Sequence, residues 1–167
     1  MTTKRIIYTR PGGGVSVVTP SPNRIAQLVS EGMTEAEAID VVKAKSVPAG
    51  SINVVVTEAA SLLTDRTFRN AWVRAGPGLP VVDMPKARGI HSARIAQAKV
   101  LAIGAFAKAE ETATLASDSA AAADALANLT AAQGLDVALT ASQIAAAATP
   151  AALKALWPAE LKDFKPF

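Results

Sequence analysis

The stretch from Asp83 to about Ala116 constrains this chain most, because its pattern is that of one long helix. Pro85 suits the first helical turn, where its missing N–H group is not needed. The chain before this helix is rich in valine, isoleucine, proline and glycine, whereas the chain after it is mostly alanine. We therefore expect a small α+β domain in residues 1–82 and an alanine-rich helical region in residues 83–167.

The first part contains several short β-prone runs. Lys4–Thr9 and Val15–Thr19 flank the turn sequence R-P-G-G-G, which predicts a β-hairpin. This glycine-rich turn does not match a phosphate-binding loop, since no Lys-Ser/Thr pair follows it and no helix begins there. The run I-N-V-V-V (52–56) is almost continuously apolar, which is typical of a strand in the middle of a sheet. Val81-Val82 predicts a last short strand.

Capping signals predict the helices. Thr34 and Glu37 form a capping box that opens a helix over Thr34–Lys45. The alanine-rich half predicts a helix over Ser117–Gln133 with Ser117 or Ser119 as its cap. It predicts a second over Thr140–Ala148 that opens with a capping box of Thr140 and Gln143, and a third after the cap Thr149. The predicted fold class is therefore α+β, with a β-rich unit (hairpin, short strands and one helix) followed by an alanine-rich helical hairpin or bundle. The repeated caps favour this interpretation over low-complexity disorder.

The segment D-R-T-F-R-N-A-W (65–72) holds two of the few aromatic residues and two arginines. One interpretation is a corner of the core, in which Phe68 and Trp72 are buried and Asp65 pairs locally or caps a turn. The other is a protein contact patch that combines both aromatics with Arg66 and Arg69, a composition found in binding hot spots. The core interpretation is the favoured one.

Ile95, Ala98, Ala102, Ala105 and Ala109 recur along the long helix at spacings of three and four, which places them on one seam. Alanine buries little apolar area, so such a seam packs weakly per residue and needs a long contact. We expect this seam to pack against another helix, and self-association through Ala98, Ala102 and Ala105 would provide the length.

Arg88, His91, Arg94 and Lys99 cluster near the start of the same helix. His91 is the one histidine of the chain, so no second histidine is present to build a zinc site with it. We interpret His91 as a surface or interface residue rather than a metal ligand or a proton shuttle.

Composition excludes several classes of site. The chain has no cysteine, which excludes disulfides, a thiol nucleophile and thiolate metal ligands. No arrangement of catalytic residue types stands out, so we expect neither an enzyme nor a cofactor. The basic N-terminal sequence lacks a following apolar segment, and no run of about 18 apolar residues occurs, so we expect no signal peptide and no membrane span.

Charge is unevenly distributed along the chain. Residues 1–108 hold 14 lysines and arginines against 7 acidic residues, while residues 109–167 hold 3 against 7. A basic first part can favour nucleic acid. The basic residues are scattered and lack interleaved aromatics, so a solvated surface is the favoured interpretation and nucleic acid is not an expected partner.

Four segments carry a resemblance to known proteins: R-I-I-Y-T-R-P-G-G-G-V-S-V-V (5–18), D-R-T-F-R-N-A-W (65–72), V-D-M-P-K-A-R-G-I-H (82–91) and A-A-T-P-A-A-L-K-A-L-W-P (147–158). Together they resemble a group of small phage and prophage proteins encoded near tail or tail-fibre genes. The helical part is similar to phage tail-assembly chaperone proteins.

The resemblance implies a structural or accessory component of a bacteriophage particle, in the tail, the fibre attachment or the capsid surface. The implied partners are other phage structural proteins and further copies of the chain, with a trimer in line with fibre symmetry. The implied location is the virion, and the host cytoplasm during assembly. One alternative is a tail or tail-fibre assembly chaperone that is absent from the mature virion. A second is a nucleic-acid-binding phage protein that uses five arginines: Arg66, Arg69, Arg74, Arg88 and Arg94.

Overall fold

The computed structural model describes residues 3–167, except for the side chain of Leu139. The chain divides into two compact units, Met1–Asp83 and Met84–Phe167. The first contains a small antiparallel sheet with two helices, and the second is helical, so the predicted α+β class is confirmed.

The sheet of the first unit has three antiparallel strands in the order β2-β1-β3. Strands β1 (Lys4–Thr9) and β2 (Val15–Val18) form the predicted hairpin, and β3 (Ile52–Glu58) pairs with the other side of β1. The prediction that residues 52–56 form the middle strand is wrong. Strand β1 takes that place because it has a partner on both sides, and its residues 6–8 are buried.

Strand β3 is an edge strand with a bulge. The pairing of β1 with β3 shifts between Ile7 and Thr9, and Asn53 there adopts a positive φ of 55°. The guanidinium of Arg74 donates a hydrogen bond from Nη1 to the carbonyl oxygen of Asn53 at 2.5 Å. A bulge of this kind twists a strand and interrupts its edge.

Each face of the sheet buries one isoleucine of β1. Ile6 packs under helices α1 (Pro22–Ser30) and α2 (Glu35–Ser46). Ile7 faces the opposite way, because successive side chains of a strand alternate. The buried residues around Ile6 are Ile25, Leu28, Ala38 and Ile39, and those around Ile7 are Val15, Leu62 and Trp72.

The predicted capping box of α2 is confirmed. The hydroxyl oxygen of Thr34 accepts a hydrogen bond from the N–H of Glu37 at 3.3 Å, and the N–H of Thr34 donates to the Glu37 carboxylate at 2.8 Å. The hydrogen bonds from Thr34, its backbone N–H first, lower the pKa of Glu37 because they favour the charged carboxylate.

The segment after β3 closes the first unit. A 3-10 turn at Ala59–Ser61 and another at Arg69–Ala71 lead into β4 (Trp72–Val73). This strand pairs antiparallel with β5 (Val81–Val82), which places Trp72 opposite Val82.

The second unit starts with the long helix α3 (Met84–Leu115), which packs mainly against α4 (Ser119–Gly134). Helices α5 (Val137–Ala146) and α6 (Pro150–Ala155) and a 3-10 segment (Ala159–Phe164) also contact α3.

The caps of these helices differ partly from prediction. Thr149 caps α6 as predicted, since its hydroxyl oxygen accepts from the N–H of Ala152 at 3.1 Å. Helix α4 is capped by Asp118, not by Ser117 or Ser119. The predicted capping box at Thr140 is wrong. Thr140 lies inside α5, and its hydroxyl donates to the carbonyl of Asp136, one turn earlier, at 3.0 Å.

We expect Trp72→Ala to lower the free energy of unfolding of the first unit by about 3–5 kcal/mol, because it leaves a cavity beside Ile7 and Val15. The measurement is urea unfolding followed by far-UV circular dichroism. The matched control is Val81→Ala on the partner strand, where the side chain is exposed and we expect a change within about 0.5 kcal/mol. A loss below about 1 kcal/mol for Trp72→Ala would contradict this account of the core.

Candidate protein-interaction surfaces

The aromatic residues of segment 65–72 belong to the core. Phe68 and Trp72 are each 2% exposed. The carboxylate of Asp65 accepts a hydrogen bond from the N–H of Thr67 at 2.8 Å and so caps the turn. Only Arg66 and Arg69 of the proposed contact patch are exposed. The core interpretation of this segment is therefore confirmed, and the contact patch lacks its aromatic half.

The prediction that His91 is a surface or interface residue is wrong. His91 is completely buried in the second unit, and its Nε2 lies 3.1 Å from the carbonyl oxygen of Leu156. Its ring is 5.8 Å from that of Trp157 and 6.2 Å from that of Phe167, measured between ring centroids. The residue holds the C-terminal segment on α3, which the sequence around it does not reveal.

Burial lowers the pKa of His91, because it penalises the charged imidazolium. The carbonyl of Leu156 acts in the opposite direction, and the positive charges of Arg94 and Lys165 add to the lowering. The neutral imidazole is thus the form that the folded unit favours.

Two further side chains of α3 bind the ends of other helices. Arg88 donates from Nη2 and Nε to the carbonyl of Ala147, just after α5, at 2.8 and 3.3 Å. The ammonium of Lys99 donates to the carbonyls of Gln133 and Leu135 at the end of α4, at 3.1 and 3.2 Å.

His91 contacts the carbonyl of Leu156, the residue that caps the C-terminus of α6. The C-terminal ends of α4, α5 and α6 are therefore each contacted by one side chain of α3. The positive charges of Arg88 and Lys99 are favourable at that end of a helix, where carbonyls lack partners within the helix, whereas neutral His91 contributes a hydrogen bond.

Arg94 also contacts its own chain. Its guanidinium carbon lies 5.8 Å from the ring centroid of Phe167, within the range of a cation–π interaction. Lys154 and Lys165 approach the same ring at 5.7 and 4.9 Å. The basic cluster at the start of α3 therefore stabilises the second unit from within.

The alanine seam of α3 lies partly inside the same unit. Ile95, Ala98 and Ala102 are buried, while Ala105 and Ala109 are exposed. Because Ala98 and Ala102 are covered within the folded unit, whose α3 packs mainly against α4, they offer no surface to a second copy. The predicted self-association through this seam is therefore wrong, and Ala105 does not continue the buried part of it.

Two exposed apolar surfaces were not predicted from the sequence. The first is the β3 edge, where Ile52, Val54 and Val56 are exposed. A groove of about 410 Å³ adjoins this edge where α2 passes over the sheet. Its lining residues are Lys4, Glu35, Ala36, Ile39, Asp40 and Val56.

Charged groups stand beside this groove. Lys4 forms an ion pair with Glu58 between β1 and β3. The hydrogen bond from Lys4 lowers the pKa of Glu58 most, and the hydrogen bond from Thr3 lowers it further. In turn, the hydrogen bond to Glu58 raises the pKa of Lys4. Both groups are solvated, so their pairing contributes little to stability.

The second surface is the outward side of α3. Val100 is 71% exposed, Leu101 56% and Leu115 80%. One sequence signal marks this surface: between Arg94 and Lys108, the one charged residue is Lys99, and it is turned toward α4.

Other kinds of site have little support in the described residues. Residues 3–167 contain no group of three or more histidine, aspartate or glutamate side chains placed to hold a metal ion. Within that same part of the chain, no helix combines the length and apolar character that crossing a bilayer requires.

Comparisons with protein-family models, with curated proteins and with solved structures find no match to this chain.

We expect the second unit to lose stability as the pH falls below about 6.5, the ordinary pKa of histidine. The unfolded chain then binds a proton that buried His91 resists, so the free energy of unfolding falls by up to about 1.4 kcal/mol per pH unit until the lowered pKa is reached. Thermal unfolding measured between pH 5 and 8 tests this.

The matched variant is His91→Gln, which keeps an N–H donor for Leu156 and does not titrate. Its stability should change less than that of the unaltered chain over this range. Equal pH dependence in the two proteins would show that His91 is not the group responsible.

Proposed function

We propose that this protein is a structural or accessory component of a bacteriophage particle that acts through protein–protein contacts. One observation carries the contact role: each unit exposes branched apolar side chains on a regular element, on the β3 edge and on the outward side of α3. Exposed apolar patches on regular elements are typical of protein-binding surfaces. The phage setting is supported by the resemblance of the motifs at 5–18, 65–72, 82–91 and 147–158.

The edge of β3 is suited to a strand of a partner. It pairs with β1 on one side, and Val56, one of its exposed valines, lines the groove between α2 and the sheet. An extended segment that adds to such an edge gains main-chain hydrogen bonds, and its alternate side chains enter the adjoining groove. The bulge at Asn53 limits the available edge to residues 54–58.

The arginines offer less support for nucleic-acid binding. Arg74 and Arg88 donate to backbone carbonyls of their own chain, and Arg94 lies over Phe167. A phosphate contact would compete with these interactions. Of the five arginines considered for this role, Arg66 and Arg69 are the exposed ones.

Mass spectrometry of purified particles tests the proposal. We expect the protein at a constant, stoichiometric copy number in particles of the phage that encodes it. A protein that is abundant in the lysate but absent from particles would overturn the structural role and indicate an assembly chaperone.

A variant phage tests whether the β3 edge is the contact surface. Val54→Glu places a charge on the edge, and we expect fewer copies per particle because a charged side chain opposes strand pairing there. The matched control is Val29→Glu on α1, since Val29 has similar exposure, 42% against 38% for Val54. Equal incorporation of the two variants would exclude the β3 edge as the contact.

A further inference from the structure

The outward side of α3 carries a continuous stripe of exposed residues. Residues three and four apart lie side by side on a helix, and the stripe keeps these spacings over about six turns. Apart from the two charged residues near its C-terminal end, it is uncharged, although the outer side of a surface helix is normally charged. Its members are Ala93, Gln97, Val100, Gly104, Lys108, Glu111 and Leu115, all exposed.

Gly104 lies at the centre of this stripe. Glycine inside a helix costs about 1 kcal/mol relative to alanine. A Cβ atom at position 104 would meet no atom of this chain within 4 Å, so the fold of the chain itself does not require glycine there. A glycine does allow the backbone of another helix to approach closely.

From these observations we infer that the stripe binds the same stripe of a second copy, with the two α3 helices antiparallel and crossing at Gly104. The inference rests on the proposed function, because it names one partner within a role based on protein contacts.

The order of residues supports an antiparallel pair. The stripe is symmetric about position 104, so a twofold axis there places each residue opposite its mirror position in the second copy. Ala93 then faces Leu115, Gln97 faces Glu111, and Val100 faces the methylene stem of Lys108. A small residue meets a large one and an amide meets a carboxylate, and no two like charges are opposed.

A parallel arrangement lacks this complementarity. In register, it would place Lys108 against Lys108 and Glu111 against Glu111. Like charges in such positions are destabilising. The same conflict arises in a parallel trimer of this helix, so the stripe favours a dimer over the trimer that fibre symmetry suggests.

Sedimentation velocity of the full chain over a hundredfold concentration range tests the pairing. We expect a monomer–dimer equilibrium, and we expect Gly104→Leu to raise the dissociation constant at least tenfold by blocking the crossing. The variant should fold, because position 104 is open in the monomer and leucine favours a helix.

The matched control is Gly89→Leu. Gly89 lies in the same helix and also has open space around it, but its mirror position, 119, lies beyond the end of α3. The dimer should persist in this variant. A monomer at all concentrations, or a dimer that Gly104→Leu leaves unchanged, would overturn the inference.

Cysteine cross-linking tests whether the two helices are antiparallel. Because the chain has no native cysteine, only the introduced cysteines can form a disulfide. Mixed Val100→Cys and Lys108→Cys proteins should form a disulfide between the two variants on oxidation. Val100→Cys alone should not, since its two sulfurs would lie on opposite sides of the crossing. Cross-linking of Val100→Cys to itself would indicate a parallel pair and refute the antiparallel one.

The outcome is separable from that of the proposed function. A monomeric protein found at constant copy number in particles would refute the pairing of α3 and leave the structural role standing. A dimeric protein that is absent from particles would refute the structural role and leave the pairing of α3 standing.

Discussion

The helical unit depends on side chains of α3 that bind carbonyl groups at the ends of the other helices. An alanine-rich bundle buries little area per residue, so apolar packing alone holds it weakly. Arg88, His91 and Lys99 add specific contacts at Ala147, at Leu156 and at the end of α4. Because these three residues lie in the first half of α3, that half contacts the C-terminal ends of the three later helices.

Several residues of the motifs that resemble phage proteins have a structural role in this fold. In segment 65–72, Phe68 and Trp72 are buried and Asp65 caps a turn. In segment 82–91, Arg88 and His91 bind carbonyls of their own chain. The motifs thus mark residues that maintain the fold. A resemblance based on these residues therefore concerns the architecture of the protein.

The surfaces proposed for contact lie on the same elements, but on the sides that the fold leaves exposed. On α3, one side carries His91 and the buried alanines, while the opposite side carries Val100 and Gly104. On β3, Val54 and Val56 are exposed because the strand is at the edge of the sheet. One helix and one strand can therefore serve folding and recognition together.

Features that depend on residues close together in the chain could be predicted from the sequence. The hairpin, the capping box at Thr34, the cap at Thr149 and the long helix follow from local backbone preferences and hydrogen bonds between near neighbours. The α+β class follows from the change in composition near residue 83.

Which side of each element is covered could not be predicted in this way, because it depends on the tertiary fold. An apolar run such as residues 52–56 looks the same whether a strand has one neighbour or two, and here β1 takes the central place. A histidine beside arginines looks exposed until residues 65 positions further along fold over it. The seam at Ala98 and Ala102 is likewise covered within the helical unit, because burial depends on contacts between distant parts of the chain that local pattern does not contain.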